Sequence, residues 1–92
     1  MFEYTYNDES IAGHGLTRQD VHQALDDPAR MKIPQKESNR GNQRAMFIGE
    51  TETSTLLQVG VEYLSVTKWH IYHCDKANAD QKKIYRGGGK RQ

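Results

Sequence analysis

Apolar and polar positions alternate at the start of this chain, over residues 57–63 and again over 66–73, and that alternation predicts three strands. Phe2, Tyr4 and Tyr6 alternate with polar residues, which predicts a short first strand. A polar stretch follows, with Ile11 as its main apolar residue, and leads to His14-Gly15. Thr17 then offers an N-cap, Asp20 stands three residues on as in a capping box, and Leu16 with Val21 fits a hydrophobic staple. The helix so begun carries Val21, Ala24 and Leu25 on one face and should stop at Asp27-Pro28. Gly15, just before it, suits a backbone angle that other residues resist.

Beyond the helix, residues 31–33 make a possible strand and residues 44–48 a firmer one, with an aperiodic, mobile loop over 34–43 between them. Residues 49–54 supply a turn. Leu57, Val59, Val61 and Tyr63 then alternate with Gln58, Gly60 and Glu62 in a strand buried on one face. The next strand spans 66–73, with Trp69, Ile71 and His73 on one face and Lys68, His70 and Tyr72 on the other. Residues 77–85 add a helical turn or two, and 87–92 read as a flexible basic tail after a single domain over 1–86. The expected fold class is α+β: a small antiparallel sheet of about four strands, one or two N-terminal helices and a short C-terminal helix. Trp69 and Tyr63, in mid-strand, are expected in the core rather than as base-stacking platforms.

Length narrows the picture, since 92 residues allow one small core and leave stability open to help from a partner. No stretch approaches the roughly 18 apolar residues of a membrane span, and the first residues lack a signal-peptide pattern, so the expectation is a cytoplasmic protein away from membranes. The single cysteine, Cys74, forms no internal disulfide and is expected as a buried structural thiol.

Charge changes the picture more than its total of +1 suggests. Residues 1–28 carry Glu3, Asp8, Glu9, Asp20, Asp26 and Asp27 against Arg18 alone, an acidic surface. Residues 29–48 carry Arg30, Lys32, Lys36, Arg40 and Arg44 against Glu37. Residues 66–92 carry seven cations against Asp75 and Asp80. If folding joins the two basic stretches, they form a footprint for phosphate or for an acidic protein; otherwise they are a mottled soluble surface.

His14-Gly15-Leu16-Thr17, then Asp27-Pro28, a basic loop into Met46-Phe47-Ile48-Gly49, Leu56-Leu57-Gln58-Val59, and finally residues 71–85 stand in an order that resembles the BrnT-like toxins of the RelE/ParE-type superfamily. The resemblance covers most of residues 1–86, and Lys76-Ala77 and Tyr85 align without a gap. It implies a RelE/ParE-like ribonuclease toxin of a type II toxin–antitoxin system, silenced by a cognate antitoxin in a hetero-oligomer. It also implies cleavage without metal or other cofactor, by attack of the RNA 2′-hydroxyl on the adjacent phosphate while cations stabilise the growing charge. One positioned acid or base is worth about 10²–10⁴-fold in such a step.

Lys76 and Arg44 match basic positions of the family and are the phosphate-stabilising cations, and Tyr85, matching its terminal tyrosine, is a phosphate donor, a base-stacking ring or a packing ring. His73 and His70 stand where the family more often has Arg and a small residue and are the acid–base candidates because imidazole titrates near neutral pH, while His14 is a phosphate contact or a plain cap residue. Arg30, Lys32, Lys36, Arg40, Lys82, Lys83 and Arg86 are the candidate RNA contacts. On a regular strand His70 and His73 point to opposite faces, so one of them at most belongs to a site. The chain departs from the family's pattern at Asp75, where an Arg is expected before Lys76-Ala77, and at Gln81, where a Glu is common. A non-catalytic module of the same fold, binding an acidic protein or nucleic acid, is the alternative, and a likeness of fold alone is the third. His70-x-x-His73-Cys74 lacks the further ligands of a zinc site.

Overall fold

The computed structural model describes residues 2–88. It contains β1 (Glu3–Tyr6), α1 (Asp8–Gly13), α2 (Arg18–Asp26), β2 (Met31–Gln35), β3 (Arg44–Glu50), β4 (Leu56–Ser65), β5 (Lys68–Lys76) and α3 (Ala79–Gly88). The class is α+β, as expected, but the sheet has five strands in the order β1-β5-β4-β3-β2 rather than about four, and it is mixed rather than antiparallel. β1 lies parallel to β5, with Tyr4 opposite Trp69, while β2 to β5 form an antiparallel meander. No helix among the described residues is long and apolar enough to cross a membrane.

Local chemistry explains each helix. The polar stretch around Ile11 is α1, started by Asn7, whose side-chain oxygen accepts from the Ser10 amide at 3.2 Å. α2 has its expected capping box: Thr17 and Asp20 each satisfy the other's backbone N–H, at 3.1 and 2.9 Å. Asp27, extended before Pro28, ends it. α3 starts on a reciprocal pair as well, with the Asn78 side chain accepting from the Gln81 amide at 2.8 Å and the Gln81 side chain accepting from the Asn78 amide at 2.9 Å. Gln81, a departure from the family pattern, therefore serves as the third residue of a helix cap. α3 runs to Gly88, two residues into the stretch expected as a tail; the remainder of that stretch lies outside the described residues.

The sheet separates two cores. On one face α1 and α2 cover Ala45, Phe47, Leu57, Val59, Val61, Ile71 and Cys74, joined by Ile11, Val21, Ala24 and Leu25, with Tyr63 and Trp69 packed against them. Each fully buried aliphatic side chain there contributes about 1.5–3 kcal/mol. Cys74 is buried with its thiol pushed up to about 12 by burial, the inert role expected of it. α2 can lie this close because position 49 is glycine: a Cβ there would meet the Ala24 carbonyl oxygen at 2.0 Å. On the other face a smaller cluster of Ile48, Leu56 and Ala77, flanked by Met31, Ile33 and Met46, receives Tyr85 of α3.

One irregularity rearranges the expected chemistry. β5 pairs Val61 with Ile71 but Gly60 with His73, so Tyr72 is an inserted residue between them. The insertion resets the alternation: Trp69, Ile71 and Cys74 face the helices, and His73 does not. By register His70, opposite Glu62, and His73, opposite Gly60, share one face, contrary to the opposite faces of a regular strand. The Tyr72 ring occupies the space above Gly60, where a Cβ would come within 2.7 Å of it. Val66, expected to open this strand, is instead 94% exposed on the β4–β5 turn.

Candidate functional site

The β3–β4 turn, the end of β5 and the exposed side of α3 enclose a cavity of about 330 Å³. Its walls are Ser54, Thr55, Leu56, Lys76, Lys82 and Arg86, three cations with hydroxyls beside them and no carboxylate. Lys82 and Arg86 are four residues apart on one face of α3, and Lys76 stands where β5 ends. None of the three takes part in an ion pair among the described residues. Ser54 holds a left-handed φ of +64° at the rim, a conformation that costs a non-glycine residue energy. Such a concavity can surround an anion and stabilise added negative charge on it.

A second group lies one residue earlier on β5. The His14 Nδ1 donates to the Ser10 carbonyl at 2.8 Å, since a carbonyl can only accept, which leaves Nε2 as the nitrogen able to exchange a proton. That Nε2 is 3.6 Å from the Asp75 carboxylate, and the His14 ring is edge-on to His73 with centroids 5.9 Å apart. His14 closes α1 and so is placed by the Asn7-capped turn that sequence patterning does not reveal. Asp75, in the place where an arginine is expected, also accepts from the Lys76 amide at 2.7 Å.

The remaining catalytic candidates are held in structural contacts. Arg44 donates to the Lys36 carbonyl at 2.7 Å and to the Glu37 carbonyl at 3.4 Å, with its guanidinium 5.1 Å from the Tyr72 ring. His70 is hydrogen-bonded to the Thr5 hydroxyl at 2.7 Å across the parallel β1–β5 pair. Tyr85 donates to Asp27 at 2.7 Å; burial first, then that bond, pushes its phenol up to about 12, far from any proton-transfer role near neutrality.

The loop at 36–43 is also not the free basic surface that its composition suggests. Glu62, 4% exposed, accepts from Arg40 and from the Asn42 side chain, both at 2.8 Å, and fastens the loop to the sheet. Burial opposes its charge, yet Asn42, Arg40 and Ser38 overcome that and bring its pKa down to about 2. Arg30 sits over Phe47 and Lys32 over Tyr63, on the α1–α2 side of the sheet. Lys36 and Lys83 are exposed and line neither cavity. Of thirteen sequence candidates, therefore, the structure gathers Lys76, Lys82 and Arg86 at one cavity and His14 with His73 at one cluster. Ser54 and Thr55, which sequence reasoning passes over, complete the cavity; their only signal is a hydroxyl-rich turn.

A second cavity of about 290 Å³, between Gln23, Asp26, Asp27, Pro28, Glu50, Thr51 and Glu52, is acidic. No group of three or more His, Cys, Asp or Glu among the described residues is placed to hold a metal ion. No protein-family model matches this chain, and no curated protein matches it either.

Proposed function

We propose that this chain is a BrnT-like, RelE/ParE-type toxin: a cytoplasmic, metal-independent endoribonuclease held in check by a cognate antitoxin. The observation that carries the reading is the convergence of Lys76, Lys82 and Arg86 on one cavity with no carboxylate in its walls. A single phosphate of RNA fits such a place, and charge that grows on it during attack by the 2′-hydroxyl is stabilised by the same cations. His14, through Nε2, and His73 are the groups that exchange protons in this reading, and Lys76 is the cation nearest to them along β5. Arg44, His70 and Tyr85 leave the catalytic set and become framework.

A second reading, a non-catalytic module of the same fold that binds RNA or an acidic protein through the cavity, is favoured by Asp75. This carboxylate faces His14 and stands beside Lys76, where the resemblance calls for a cation. Purified protein incubated with single-stranded RNA and a chelator separates the two. Strand scission that Lys76→Ala slows at least tenfold supports the enzyme. Binding without scission supports the module.

A further inference from the structure

We propose that the hydrogen bond from Tyr85 to Asp27 is the positioning contact that builds the cationic cavity, by fixing α3 so that Lys82 and Arg86 face Lys76. The inference rests on the reading of that cavity as an RNA phosphate site. α3 is otherwise loosely attached: Lys82, Lys83, Ile84 and Arg86 are exposed, and Tyr85 is its one residue in the apolar cluster on that face of the sheet among the described residues. The Gln81 side chain adds only a 3.5 Å contact to Gln58. Lys82 and Arg86 flank Tyr85 in sequence, so a rotation of the helix about its axis carries both away from Lys76.

Asp27 is a rigid anchor for that contact. Its Oδ1 accepts from the Ala29 amide at 2.8 Å, and its Oδ2 accepts from the Glu50 amide at 2.8 Å as well as from the Tyr85 hydroxyl. One carboxylate thus joins the end of α2, the end of β3 and α3. The fixed backbone donors leave the Tyr85 oxygen a single well-defined place to bind, and the ring follows it. Tyr85 is accordingly a positioning residue for the phosphate cations rather than a group that touches substrate.

The test is binding of a fluorescein-labelled single-stranded RNA oligonucleotide to the full chain, with the salt dependence of affinity measured beside the melting temperature. Lys82→Ala should weaken binding and lower the slope of log affinity against log salt by about 0.7, the loss of one phosphate contact. Tyr85→Phe, which keeps the ring and removes only the hydroxyl, should weaken binding several-fold and lower the slope as well. Adding Lys82→Ala to Tyr85→Phe should then cost less than Lys82→Ala costs the parent, since a displaced Lys82 has little left to lose. Unchanged affinity and slope for Tyr85→Phe, with Lys82→Ala still weakening binding, would overturn the positioning role and leave the phosphate site standing. A parent that binds no RNA, or a Lys82→Ala variant that binds as the parent does, would overturn both.

Discussion

The two basic stretches of this chain meet opposite fates. In the stretch that leads from α2 through β2 to β3, four of the five cations are spent on the fold, and Lys36, with an exposed side chain, is the exception. Arg40 closes onto buried Glu62, Arg44 onto two loop carbonyls and the Tyr72 ring, and Arg30 and Lys32 lie over Phe47 and Tyr63. In the stretch that runs from the end of β5 through α3, Lys76, Lys82 and Arg86 stand around a cavity without an acidic neighbour in its walls. For Arg40 the difference is one buried carboxylate, and for Arg44, Arg30 and Lys32 it is loop carbonyls and aromatic rings within reach. Glu62 on β4 needs compensating donors, and the nearest polar loop supplies them; among the described residues no carboxylate makes the same demand of Lys82 or Arg86. A run of like charges thus reports function only after the buried counter-charges have been subtracted.

The largest effect should come from the free cluster. Replacing Lys76, Lys82 and Arg86 together by alanine should lower affinity for single-stranded RNA by 10²-fold or more, about 3 kcal/mol, and lower the salt slope by about 2. The melting temperature should hardly move, because these side chains are exposed or line open space. A matched loss of stability would erase the contrast between the two regions.

Glu62→Gln should do the reverse. Removing the charge leaves Arg40 and Asn42 without their carboxylate and should destabilise the protein by about 2–3 kcal/mol, read in urea, with RNA affinity within twofold of the parent. A large loss of binding would return the 36–43 loop to the candidate interface.

Acid should act on the same clamp. The Glu62 pKa lies at about 2 in the fold against an ordinary 4.5, so its stabilisation is whole above about pH 4.5 and fades as pH falls toward 2. Its size should be on the order of 2 kcal/mol once screening at the exposed Arg40 end is discounted. Asp27 is held low as well: burial opposes its charge, but the Tyr85 hydroxyl, the Ala29 and Glu50 amides and Arg30 outweigh it. The two act with the same sign. Urea titrations from pH 6 down to 2.5 should therefore show falling stability, and the fall should be shallower in Glu62→Gln.

The smallest effect belongs to Lys36. It is exposed, and only its backbone carbonyl is used, by Arg44. Lys36→Ala should change stability by less than about 0.5 kcal/mol and RNA affinity by less than twofold. A tenfold loss of affinity would place the loop on the RNA.

Elements with strong local signals were legible in the sequence: the Thr17–Asp20 capping box, the stop at Pro28, the alternation of β4, the left-handed Gly15 at φ +73° and the buried Cys74. One or two N-terminal helices were expected, but α1 could not be placed because six residues with one buried apolar member, Ile11, cannot display a helical period. The parallel pairing of β1 with β5 joins residues 65 apart, and no local pattern encodes such a partner. At Tyr72 an inserted residue leaves the alternation intact on both sides while reversing its meaning, so His73 was assigned to the wrong face. Only Gly60, opposite the insertion, hints at it. Glu62 sits at an outward position of an alternating strand and looks exposed until the loop folds over it. The site was half legible for the same reason: Lys76, Lys82 and Arg86 were among the candidates, but which cations remain unpaired depends on contacts between segments distant in sequence.

The most direct test of the ribonuclease reading is a gel of single-stranded RNA incubated with purified protein and a chelator, beside Lys76→Ala and Lys36→Ala. Cleavage that leaves 2′,3′-cyclic phosphate ends, slowed at least tenfold by Lys76→Ala and unchanged by Lys36→Ala, is the predicted result. Intact RNA, or cleavage equal in all three proteins, would contradict it.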